Sequence, residues 1–124
     1  MLRYILKSKI HRATITHADL EYEGSITLDK ELMEQAKIFP YEKVSIYNIS
    51  NGERFDTYVI EGKRSSGVVG LNGAAARKGS AGDLIIIASY ALVDEIEFQS
   101  GGATLVFVDS NNRVKKKDFK KWLN

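Results

Sequence analysis

Val44-Ser45-Ile46-Tyr47-Asn48-Ile49-Ser50-Asn51-Gly52-Glu53-Arg54-Phe55-Asp56-Thr57-Tyr58-Val59-Ile60 reads as two strands around a turn. Val44 to Ile49 and Phe55 to Ile60 are rich in β-branched and aromatic residues. Asn51-Gly52 between them is a strong hairpin signal, because both residues accept the left-handed backbone that a tight turn needs. Strict alternation along the second strand puts Arg54 and Tyr58 on one face and Thr57 on the other. Outward from this hairpin, residues 2–18 are rich in Ile, Thr and Tyr and read as one long bent strand or two short ones. Leu84 to Ala88 is a continuous apolar run of strand length that suits a strand buried on both faces. Ala103 to Val108 is another, ending at the turn-like Asp109-Ser110-Asn111-Asn112. Helix signals are weaker. Thr27 and Asp29 are capping residues ahead of the helix formers Lys30 to Ala36, and Asn72 is the expected N-cap of a single turn over Gly73 to Lys78. Five or six short strands with one or two small helices predict a mainly β chain, closed as a barrel.

The 124 residues make one domain, 1–124, large enough to bury a core without disulfide or metal staples. Cys is absent, which removes disulfides, zinc–thiolate sites and cysteine nucleophiles and suits a reducing compartment. No metal is expected. Net charge is +2, and Arg113, Lys115, Lys116, Lys117, Lys120 and Lys121 are six of the 18 basic residues. The remainder is slightly acidic, which argues against a nucleic-acid-binding face. The tail itself reads as a solvated, frayed terminal helix. Met1 to Lys7 lacks the apolar run of a signal peptide, and no stretch reaches the length of a membrane span. A cytoplasmic protein is the expectation.

The stretch that carries chemistry is Tyr22-Glu23-Gly24-Ser25-Ile26-Thr27. Alone, Gly-Ser is a common turn dipeptide. Here it occurs with Lys9, His11, Arg54, Thr57, Tyr58 and Asn72-Gly73-Ala74-Ala75, and in that order and at those intervals the sequence resembles the bacterial aspartate 1-decarboxylases. The resemblance runs from Met1 to about Phe107. It implies a six-stranded double-psi β-barrel with short helices, assembled as a homotetramer. It also implies an enzyme that cuts its own Gly24–Ser25 bond into chains 1–24 and 25–124, the second beginning with a pyruvoyl group built from Ser25, so that no external cofactor is needed. The implied reaction is decarboxylation of L-aspartate to β-alanine and CO2 for pantothenate biosynthesis. An accessory protein for maturation is left open.

Elementary chemistry says why such residues are needed. Ser25 must attack the Gly24 carbonyl, and a residue without Cβ eases that approach. The oxyanion that develops needs a donor, for which the resemblance offers the Thr57 hydroxyl. The base that removes the Ser25 α-proton stays unassigned: His11 has a suitable pKa, yet a lone strand histidine is commonly a hydrogen-bonded wall residue. Loss of CO2 leaves an electron pair for the pyruvoyl group to accept, and Tyr58 is the implied proton donor. Two substrate carboxylates call for cations, Arg54 as a bidentate grip and Lys9 as a point charge. Asn72, Gly73, Ala74 and Ala75 would present backbone N–H groups. Two other classes compete: a barrel that only binds, with Gly24-Ser25 intact, and a small nucleic-acid-binding barrel that uses the basic tail as an arm.

Overall fold

Burial follows the alternation of the hairpin: Val44, Ile46 and Val59 lie in the core, and Arg54 and Asp56 face solvent. In chain order the computed structural model, which describes residues 1–124, runs β1 (Arg3–Thr14), β2 (His17–Asp19), β3 (Ser25–Asp29), α1 (Lys30–Ala36), β4 (Lys43–Asn48), β5 (Arg54–Gly62), β6 (Val69–Asn72), a 3-10 turn (Gly73–Arg77), β7 (Leu84–Val93), α2 (Glu95–Ser100), β8 (Gly102–Val108) and β9 (Val114–Lys121). The chain is thus mainly β with short helices. Its strands hydrogen-bond in the order β2-β6-β3-β5-β4-β7-β1-β8-β9. Three pairs are parallel, β1 with β8, β2 with β6 and β3 with β5, and each joins strands distant in sequence, as parallel pairing requires.

Inward-facing strand residues, among them Ile10, Ile26, Ile46, Val59, Leu71 and Ile87, join Leu32, Met33 and Ala36 of α1 in one core of 19 residues. A fully buried aliphatic side chain contributes about 1.5–3 kcal/mol, whereas an exposed ion pair contributes about 0–1 kcal/mol. The core therefore outweighs the surface salt bridges. Asp29 caps α1, accepting from the Glu31 N–H at 2.8 Å, and its buried carboxylate also takes the N–H groups of Ser65 and Gly67, both at 2.8 Å. One side chain thus ties the end of β3 to the helix and to the loop before β6. No helix is long and apolar enough to cross a membrane.

The tail departs from expectation. Residues 114–121 are a strand paired antiparallel with β8 from Gly102↔Lys121 to Val108↔Val114. Beyond it the Trp122 indole N–H donates to the Leu6 carbonyl at 2.8 Å, and the ring stacks on Phe98 at 6.3 Å. Gly101 makes the space: a Cβ there would lie 2.4 Å from the indole. The physical reason is the open edge of β8, whose backbone groups need partners. The lysines that suggested a solvated helix blunt the new edge instead. Trp122→Ala is expected to lower stability by about 1–3 kcal/mol, read from thermal or denaturant unfolding. A change within about 0.5 kcal/mol, the range of ordinary surface substitutions, would return the tail to a solvated appendage.

Candidate active site

Strand register builds the site around Ser25. Ile26 pairs with Val59 in the parallel β3–β5 ladder, so one step earlier Ser25 comes abreast of Tyr58. On the other flank Ser25 pairs directly with Asn72. Ser25 is buried, and it shares a cavity of about 470 Å3 with Tyr58, Tyr22, Glu23, Tyr41 and Ile60. The Ser25 hydroxyl donates to the Glu23 carbonyl at 3.2 Å. The Asn72 amide donates to Ser25 Oγ at 3.0 Å and to Thr27 Oγ1 at 2.8 Å. A donor aimed at Oγ favours the charge that develops there as the proton leaves.

Two sequence expectations change. Asn72 precedes the 3-10 turn but makes no capping bond with its side chain; the amide is spent on the two hydroxyls of β3. Gly24 has no steric need for glycine, since an added Cβ would come no closer than 3.9 Å to Ala74 N. The close approach is Gly73's. It has φ +60, and a Cβ there would lie 2.6 Å from Gly24 N and 2.7 Å from the Tyr22 carbonyl oxygen. Gly73 therefore lets the turn lie against the Gly24–Ser25 peptide, with Ala74 N close by. Ala75 points into the core.

The remaining expected residues do not converge within one chain. The β4–β5 ladder has no register shift, so no bulge re-aims Thr57: it lies on the core side, opposite Val44, while Tyr58 and Arg54 face outward. Arg54 is exposed, with its guanidinium carbon 4.1 Å from the Tyr47 ring centroid. The Tyr47 hydroxyl is 2.8 Å from that of Tyr90, and this bond, with burial second, pushes the Tyr90 pKa up to about 12. Lys9 stands between Ala88 and Leu105, and His11 lies against Phe107 in a separate cavity. None of Lys9, His11 and Arg54 lines the Ser25 cavity, because the outer faces of β1 and β5 carry them away from it. Tyr41 joins the cavity without a sequence signal. Pro40 marks a turn there, but a turn signal says nothing about which chamber the next ring enters.

The sequence profile of the aspartate decarboxylase family matches residues 1–115. The chain belongs to the aspartate decarboxylase family. An aspartate 1-decarboxylase of Syntrophus aciditrophicus is 64% identical over 115 residues, 93% of this chain and 99% of the relative. One from a Sulfurihydrogenibium species is 58% identical over 118 residues, 94% and 88% of the two chains. One from Burkholderia ambifaria is 53% identical over 116 residues, 93% and 91%. Membership of the aspartate decarboxylases brings with it the double-psi β-barrel. The match stops one residue after Val114, so most of β9 lies beyond it.

Burial, then the charges of Lys9 and Arg12, hold the His11 pKa below its usual 6.5, and its Nδ1 is buried without a partner. Between 6.5 and that lowered value the unfolded chain binds the proton more readily, so stability from this residue is full above 6.5 and falls as pH drops through the window. An NMR titration should place the His11 midpoint below 6.5, and His11→Gln should lessen the loss of stability on acidification. A midpoint at or above 6.5 contradicts the assignment.

Proposed function

We propose that this aspartate decarboxylase converts L-aspartate to β-alanine and CO2, for pantothenate biosynthesis, after cutting its own Gly24–Ser25 bond. The observation that carries the reading is the shared cavity: a buried serine, abreast of an outward-facing tyrosine, with an amide donor on its Oγ. The residues fit a pyruvoyl group at position 25, which Asn72, Tyr58 and the turn at Gly73–Ala75 would hold. Once formed, that group supplies a carbonyl that accepts the electrons released as CO2 departs.

The side chains do the rest. Asn72 holds Ser25 Oγ on the Glu23 side of the loop, and Thr57, next to Tyr58 on β5, is the donor for the oxyanion formed when Oγ attacks the Gly24 carbonyl and the Gly24–Ser25 C–N bond gives way to an ester. Tyr58 delivers the proton that replaces CO2. Arg54 and Lys9 grip the substrate carboxylates and His11 lines their approach, from the outer face of a neighbouring copy. That arrangement favours a homotetramer in which each site draws on two chains. It accounts for why three cationic or titratable residues lie outside the Ser25 cavity of their own chain. A cysteine-free sequence fits the reducing cytoplasm, where this reading locates the enzyme.

Mass spectrometry should find chains 1–24 and 25–124 in mature protein, the longer without a free amine, and a single intact chain that makes no β-alanine in Ser25→Ala. Cleavage at this bond in the alanine variant would sink the serine mechanism. Tyr58→Phe should cut normally and lose turnover. Thr57→Val should slow cutting by roughly 3–4 kcal/mol in barrier. Co-expressing Ser25→Ala with Arg54→Ala tests the shared site: hybrids should regain the activity that neither variant has alone. Hybrids that stay inactive would confine each site to one chain.

A further inference from the structure

The segment from Lys37 to Glu42 is held in a shape that its own sequence resists. Lys37 and Tyr41 have φ of 57 and 69, a region that suits Gly or Asn and that a bulky aromatic rarely enters. Such strain persists only where the surroundings over-determine it, and here they do. The Tyr41 N–H donates to the Val59 carbonyl at 2.7 Å, and the Val59 N–H donates to the Glu42 carbonyl at 3.1 Å. The Glu42 carboxylate accepts from Lys7 Nζ at 2.8 Å and from the Ser89 hydroxyl, while Lys7 Nζ also donates to the Lys37 carbonyl at 2.7 Å. Lys7 is the extra residue where β1 slips register against β7, so a bulge aims the anchor.

Packing of Tyr41 itself does not account for this outlay, since the residue is 77% exposed. What the shape does achieve is a position. The ring lines the Ser25 cavity and stacks on Tyr58, with centroids 6.2 Å apart and planes 28° apart. We propose that Tyr41 is a positioning residue for decarboxylation: its strained backbone holds the ring against Tyr58 and fixes the direction of the Tyr58 hydroxyl. This rests on the reading of Tyr58 as the proton donor.

The experiment compares Tyr41→Asn and Tyr41→Phe with wild type, using mature enzyme counted by mass spectrometry. Asn accepts the left-handed backbone and removes the ring; Phe keeps the stack. Tyr41→Asn is expected to lose on the order of 10–100-fold in kcat, the scale of a misplaced reacting group, with KM within about twofold. Its Tm should hold or rise by about 2–4 °C as strain is relieved, with assembly size unchanged. Tyr41→Phe should restore kcat. The inference is overturned by any of four results: unchanged kcat in Tyr41→Asn, a fall in Tm or assembly accompanying the loss, failure to cut at Gly24–Ser25, or a Phe variant as impaired as the Asn variant. Tyr58→Phe tests the underlying reading separately: full turnover there removes the proton donor, and this inference with it.

Discussion

Ser25–Asp29 runs through the interior with both backbone edges in need of partners. The parallel ladder to Val59–Gly62 meets one edge, and the antiparallel ladder to Val69–Asn72 meets the other. Both are exacting, because an unpaired buried N–H or carbonyl costs about 1–3 kcal/mol. Once those pairings are made, little about the site is free. Tyr58 must stand beside Ser25 and Asn72 opposite it, and the turn that follows Asn72 must fold back under Gly24. The buried Asp29 carboxylate closes the far end by fastening the strand to the helix and loop that follow.

A consequence is that the chain separates two kinds of chemistry by face. The Ser25 and Thr27 hydroxyls and the Asn72 amide gather on β3 and β6. The charges suited to a dicarboxylate sit on the outer faces of β1 and β5, where Arg54 lies over Tyr47 and Lys9 stands between two apolar neighbours. Cations kept away from the buried serine avoid the desolvation that an interior charge would suffer. In the proposed assembly, another copy would bring them to the pocket, so its charge would come from outside the chain that carries Ser25.

Much of this was legible in the residues because the signals were local. Alternation and Asn51-Gly52 define the hairpin, Asp29 ahead of Lys30–Ala36 defines the helix, and Gly24-Ser25, Tyr58 and Asn72 stood out through the resemblance to a known family. What stayed hidden depends on contacts between distant parts of the chain. Strand β9 forms because β8 has an open edge and because Trp122 reaches Leu6, 116 positions away. The Asn72 side chain looked like a cap because a cap and a site residue occupy the same place before a turn. The need for glycine fell to Gly73 rather than Gly24, and only the path of the Tyr22–Gly24 loop over it decides which.

The place of β1 in the sheet bears on what self-cutting does to the molecule. This 12-residue strand lies between β7 and β8, hydrogen-bonded to both, and its Ile10 and Ala13 are set into the core. The proposed break after Gly24 would therefore divide the polymer without dividing the object. The short piece is held like a middle plank between two neighbours, and freeing it means tearing both seams and opening the interior. The proposed maturation would then be a nick in a finished body: a chemical event at one bond, almost silent in shape, with the two pieces parting only on denaturation.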